Sequence, residues 1–258
     1  LTTPVSYPAD GTAMNTLRKS AANIRLGEYI ADATAESIAR YGLDTPRLVI
    51  RLHQAAGTIG AVGTTGSYAT TDYPEATITL VIGEQESDLV DYVLYDGGIY
   101  RCSTLLLRGV MNADWQETIT RYPVLTALGN LASLSRETAD GVDTWVITRT
   151  EQVAENNELV TDDEGNQAYD ITLTKNGESA DYTAFSAAYN QLMMVTMSGR
   201  LPDGWTAADA PHTVWTFTDV DGTVHTVALT RYDAMHDAVA VDGVALFYLI
   251  QGGFSLGI

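Results

Sequence analysis

Near the start of the chain Met14, Leu17, Ala21 and Ile24 fall on one face at helical spacing, with Arg18, Lys19 and Arg25 elsewhere and Asp10 ahead of the run. This pattern predicts an amphipathic helix over 12–26. Thr34 is placed as the N-cap of a short helix through Ile38 and Tyr41, closed by Gly42 in the left-handed position and followed by Pro46. From Arg47 the period changes to two: Leu48, Ile50 and Leu52 alternate with Val49, Arg51 and His53, which predicts a half-buried strand. A second strand is predicted over 77–82. Residues 92–95 and 99–102 read as a hairpin about Asp96-Gly97-Gly98.

Between the first two strands lies a Gly- and Thr-rich stretch, 54–76, with Gly57, Gly60, Gly63 and Gly66 spaced by three. It is too long for a hairpin turn and reads as a mobile insertion. The stretch 105–122 contains Trp115 but no strand alternation, and Pro123 interrupts it, so a domain boundary is expected there. Beyond it, 131–138, 144–150 and 168–174 read as a strand meander with 155–167 as a loop. A second amphipathic helix presents Phe185, Tyr189, Leu192 and Val195 on one face and ends at Gly199, before Pro202. Strands follow over 213–217 and 224–230, then 238–241 and 245–250 around Asp242-Gly243.

Residues 46–52 can be laid against 211–217, and 92–97 against 238–243, each pair following an amphipathic helix. Recurrence of the elements in one order predicts a duplicated unit. The expected fold class is therefore α+β: two repeated modules, each an amphipathic helix packed on a small antiparallel β-sheet. The first spans 1–122, with the glycine-rich insertion at 54–76; the second, a divergent copy, spans 123–258.

Composition narrows the partners. The formal charge of −19 sets up a field that repels polyanions, which argues against nucleic acid. Lysine occurs only at Lys19 and Lys175, and no basic cluster forms a membrane-adsorbing patch. No apolar run approaches the roughly 20 residues of a bilayer span, so direct membrane insertion by these residues is not expected. The lone Cys102 permits neither an intrachain disulfide nor a cysteine-based metal site, and it reads as a small buried hydrophobe. The chain begins at Leu1 without an initiator methionine, so a removed upstream signal or anchor is expected.

Several segments carry a family likeness. Tyr7-Pro8-Ala9-Asp10, the first helix, Tyr41-Gly42-Leu43-Asp44-Thr45-Pro46, Ile78-Thr79-Leu80-Val81-Ile82-Gly83 and the 92–100 hairpin resemble the bacterial domain-of-unknown-function family numbered 4340. The resemblance covers about residues 4–138, with the C-terminal half similar to a divergent second copy. It implies a chain facing outward from the cytoplasm behind a membrane anchor. It also implies, for some members, genes that lie beside envelope ABC-transporter parts of the gliding-motility type, and it carries over no catalytic residues.

The residue patterns for chemistry each have a plainer reading. His53 ends one expected strand, His212 precedes another and His225 lies within a third; no pair of the four, His236 included, has the i, i+4 helical spacing of a zinc site, and they read as exposed or capping histidines. The glycine-rich stretch lacks the Gly-Lys-Ser/Thr of a phosphate loop. Asp162-Asp163-Glu164-Gly165-Asn166 and Asp219-Val220-Asp221-Gly222 invite a calcium reading, yet neither has a twelve-residue loop closed by a bidentate Glu, and both read as turns. Tyr92, Tyr95, Tyr100, Trp215, Phe247 and Tyr248 alternate along strands as cross-strand packing partners rather than as a sugar platform. Met193, Met194 and Met197 are placed on the second helix as core filler, with a soft partner-binding face as the alternative.

No catalytic, cofactor-binding or metal-ligating residue is assigned, and no cofactor is expected. The expected function is a non-catalytic, extracytoplasmic scaffold or accessory module of a bacterial envelope complex, with a protein partner such as an ABC transporter. The alternative is a binding module for a glycan, peptide or small ligand in the groove between modules; a hydrolase is the least supported reading.

Overall fold

The computed structural model describes residues 5–62, 68–154, 159–161 and 167–257. The chain divides into two compact units, one formed by residues 9–119 and the other by 1–8 together with 120–258.

In the first unit Asp10 caps α1 (Gly11–Ala22) by accepting the Ala13 N–H at 2.7 Å. The chain turns at Asn23 and enters β1 (Leu26–Asp32), then α2 (Ala35–Arg40), which opens with a reciprocal capping box between Thr34 and Ser37. Gly42, at φ +64°, ends that helix in the left-handed region. Next come β2 (Leu48–Gln54), the hairpin β3 (Gly57–Val62) and β4 (Tyr68–Tyr73), and then β5 (Ala76–Ser87). β6 (Val90–Tyr95), β7 (Gly98–Ser103) and α3 (Thr104–Met111) complete the unit. Five strands form one antiparallel sheet in the order β1-β7-β6-β5-β2, and β3 pairs with β4 alone. The core gathers Ile50, Leu80, Ile82, Val93, Cys102 and Leu107, with Ile24 and Leu26 packed against it. Its apolar positions sit two apart along each strand, which is why one sheet face is buried.

The second unit runs β8 (Leu131–Thr138), β9 (Gly141–Glu151), β10 (Tyr169–Lys175), β11 (Glu178–Ala180) and α4 (Tyr182–Met193). β12 (Gly199–Arg200), β13 (Thr213–Asp219), β14 (Val224–Arg231), β15 (His236–Val241) and β16 (Val244–Ile250) follow. All nine strands join one antiparallel sheet, ordered β11-β10-β9-β8-β13-β14-β15-β16-β12. Asp181 caps α4, which lays Phe185, Tyr189 and Leu192 into the core. There Trp145 stacks on Trp215 with ring centroids 6.4 Å apart, and Phe185 stacks on Tyr189 at 5.8 Å. The Tyr189 hydroxyl donates to the Thr126 carbonyl at 2.9 Å, so its burial leaves no orphan donor.

These facts correct the expected α+β fold of two repeated helix-on-sheet modules. Strand makes up 47% of the chain and helix 18%, in three antiparallel sheets, so the molecule is predominantly β. The reason lies in a long-range ladder. β8 pairs with β13 from Thr138↔Thr213 onward, fusing the expected local meander 131–174 with the C-terminal strands into one sheet. The two larger sheets do share a strand order: β2-β5-β6-β7-β1 matches β13-β14-β15-β16-β12, each trailing a helix. In the larger sheet the other four strands extend beyond β13, so two equal modules do not describe it.

Smaller corrections follow from local physics. The first helix stops at Ala22 rather than 26, and 26–32 is an edge strand whose register with β7 shifts twice, which blurs its alternation. The stretch expected to be a mobile insertion carries the β3–β4 ladder from Gly57↔Tyr73 to Val62↔Tyr68; Gly63 and Gly66 lie outside the described residues. Within 105–122 the chain forms most of α3. α4 ends at Met193, not at Gly199.

Candidate functional site

The two larger sheets each bury one aspartate near the start of the strand that is third in their shared order. Asp91 on β6 is fully buried, and the guanidinium of Arg47, one residue ahead of β2, pairs with its Oδ1. Arg47 Nε also donates to the Gly83 carbonyl at 2.6 Å. Asp237 on β15 is buried to the same degree, and His212, one residue ahead of β13, brings Nε2 to 3.2 Å from its Oδ1, outside hydrogen-bond alignment. Arg231 Nε stands 3.8 Å from the same oxygen. The backbones agree as well: Arg47 N–H donates to the Ile82 carbonyl and His212 N–H to the Leu229 carbonyl, both at 2.9 Å. A buried carboxylate costs several kcal/mol unless a cation and hydrogen bonds meet it; Arg47 supplies the cation at Asp91, and Arg231 is the permanent cation beside Asp237.

The other histidines are held by close neighbours. His225 Nδ1 lies 2.9 Å from Asp242 Oδ2, and His236 Nδ1 lies 2.9 Å from Asp233. His53 is exposed, with Nδ1 3.3 Å from the Thr77 hydroxyl and Nε2 3.8 Å from Glu75. Asp233 sits below the usual carboxylate range because the Met235 N–H and the His236 ring hydrogen-bond it. Among the described residues no three His, Cys, Asp or Glu side chains gather as metal ligands.

Asp219-Val220-Asp221-Gly222 forms the β13–β14 turn. Gly222 N–H donates to the Asp219 carbonyl, and the Asp221 carboxylate accepts the Thr223 N–H at 2.8 Å. That bond and the Thr223 hydroxyl lower the Asp221 pKa. Asp162 to Asn166 lie outside the described residues. Cys102 is buried, its thiol 3.4 Å from the Arg25 carbonyl, and burial pushes its pKa up, away from thiolate chemistry.

The aromatic residues pack against one another: Tyr92 on Tyr41 at 4.4 Å, Tyr100 on Tyr29 at 5.7 Å, Phe247 on Tyr7 at 6.3 Å and Tyr248 on Tyr232 at 5.2 Å. Met193 is half-buried at the end of α4 and Met194 is exposed beside it, while Met197 is buried beyond the helix.

An open site lies in the first unit, between α1 and the paired strands β2 and β5. A groove of about 660 Å³ is bounded by Arg18, Ala22, Arg51, Gln54 and Tyr73, among others. It shares Ala22, Leu52 and Ile78 with an apolar slot of about 220 Å³ that reaches Leu26, Leu80 and Tyr95. Sequence reasoning missed it, because Arg18 and Ala22 come together with β2 only once α1 is laid over the sheet. The model of the family described as "Domain of unknown function (DUF4340)" matches residues 1–213.

The chain belongs to the DUF4340 family. The match reaches well past the 4–138 stretch that carries the motif resemblance, through all of the first unit and on to the first residue of β13. No curated protein and no solved structure matches this DUF4340 member. Among its described residues no helix is long and apolar enough to cross a membrane.

Proposed function

We propose that this DUF4340 member is a non-catalytic extracytoplasmic accessory module of a bacterial envelope complex, with a membrane transporter of the ABC type as its protein partner. The observation that supports this reading is how the ionisable side chains are used. Arg47 pairs with the buried Asp91, His212 and Arg231 stand beside the buried Asp237, Asp233 and Asp242 engage histidines at turns, and Arg101 joins Glu28 and Glu86 across the sheet surface. Groups engaged in this way fix strand register. A general acid or base instead needs a free path to a substrate proton.

The test is purification of the protein, expressed from its own gene in the native host, from membranes solubilised in mild detergent. Reproducible recovery with a defined transporter subunit is expected. A protein found only in the cytosolic fraction and recovered alone contradicts the proposal.

A second reading, a binding module for a glycan, peptide or small ligand, is favoured by the α1–β2 groove. Its volume lies in the ordinary range of binding clefts, about 300–1,000 Å³.

A further inference from the structure

The edges of the five-stranded sheet differ in a way that bears on binding. β1, at one edge, meets β7 through two register shifts and carries Glu28. Such irregularity blunts an edge against pairing. β2, at the other, keeps an unbroken register with β5 from Leu48↔Ile82 to Gln54↔Ala76, and among the described residues β5 is its sole partner in the sheet. A terminal strand presents the N–H and C=O of every second residue outward, unpaired, as a template for an added strand. The groove beneath α1 lies over the C-terminal half of β2 and the start of β5, and the apolar slot continues from it across the sheet face to Tyr95 of β6 and Leu26 of β1.

The charge of the edge is also unusual for so acidic a chain. Arg18 on α1 and Arg51 on β2 are exposed and form no ion pair among the described residues. Most other arginines of this unit are engaged: Arg47 with Asp91, Arg101 with Glu28 and Glu86, Arg25 with the Ala22 carbonyl, Arg40 over the Tyr41 ring. Unpaired cations beside an edge disfavour a second copy docking edge to edge through like charge, and they favour an acidic strand.

We infer that the β2 edge binds an extended, acidic peptide segment of a partner protein by β-strand addition. The peptide backbone completes the outward hydrogen bonds of β2. One of its apolar side chains packs into the groove against Leu52 and Ala22, and a carboxylate meets Arg18. An acyl chain with an anionic head would fill the slot but leave the edge amides unpaired, so the free ladder decides for a peptide. The inference deepens the binding reading and does not depend on where in the cell the protein acts.

The test uses the whole chain with an acetylated peptide of alternating valine and threonine that ends in two aspartates, labelled for fluorescence anisotropy. A lysine-ended version and dodecanoate are the comparison arms. Saturable binding of the acidic peptide by about 1 mM is expected, tighter than that of the lysine-ended version, with slowed hydrogen exchange at the amides of β2. Arg18→Glu is expected to weaken it by about fivefold or more, since an exposed pair is replaced by a repulsion. Ala22→Trp is expected to fill the groove and abolish binding.

Because Arg18 is a surface residue, Arg18→Glu stays informative even if the tryptophan variant fails to fold. Three results overturn the inference: binding of dodecanoate without the peptide, peptide binding indifferent to both substitutions, or exchange protection that spares β2. None of them bears on whether the protein co-purifies with a transporter, so the two proposals fail separately.

Discussion

At the scale of single residues, the most consequential pairing is Arg47 with Asp91. Removing one partner of a buried ion pair leaves the other charge without compensation, which costs about 3–5 kcal/mol. Arg47→Ala is therefore expected to destabilise the chain by about 3 kcal/mol in chemical denaturation, near the lower bound because the guanidinium remains partly exposed. Arg47→Leu combined with Asp91→Leu is expected to recover most of that loss, because no buried charge is left unpaired. Neither aspartate was singled out in the sequence: Asp91 and Asp237 fall just outside the expected strands 92–95 and 238–241, and only the fold shows that each is buried. The turns were legible. Asp96-Gly97 and Asp242-Gly243 all have positive φ, as short hairpins require, and that residue pair announces the geometry.

A second residue-scale expectation concerns acid. The Asn176 amide and the Arg136 guanidinium hold Asp143 below the usual carboxylate range. Its native form thus binds fewer protons than its unfolded form, so its contribution is present above the unfolded pKa of about 4 and is lost as pH falls through the folded value. Asp143→Asn is expected to flatten the fall of stability with pH below about 4, measured as denaturation midpoints across an acid series. A slope identical to that of the parent protein would remove Asp143 from the acid response.

At the scale of elements, the periodicities placed α1, α2, α4 and most strands, because a buried face writes its spacing into the chain. What they could not place were elements without a clean face. β12 has two residues, and β1 exposes most of its positions through an irregular register. α3 is eight residues long, nearly continuous in apolar character, and interrupted by Gly109. That glycine has a packing cause: a Cβ there would stand 2.7 Å from the Ser20 hydroxyl of α1. Gly109→Val is expected to force the α1–α3 crossing apart and cost about 1–3 kcal/mol, read as a lowered thermal midpoint. Gly109→Ala, with Ser20→Ala to make room, is expected to cost less.

At the scale of the whole molecule, the sequence showed recurrent elements but not how the strands assemble. Pairing of β8 with β13 joins segments about 80 residues apart, and no local pattern records it. The candidate site was hidden for the same reason. Arg18, Ala22 and Leu52 are ordinary residues in ordinary elements, and they become one groove only through the topology. The family resemblance was legible in short motifs such as 41–46, and the family match extends it to most of the chain.

If the protein acts by docking rather than by chemistry, its contact with a partner should be found at the β2 edge in living cells. The direct measurement places a photo-reactive residue at Arg51 in the protein expressed from its own gene, with the exposed Val220 as the control position. The expected result is a single dominant adduct from position 51, to one protein of the membrane fraction, suppressed by Arg18→Glu. Adducts no more abundant from position 51 than from position 220 would contradict the central claim.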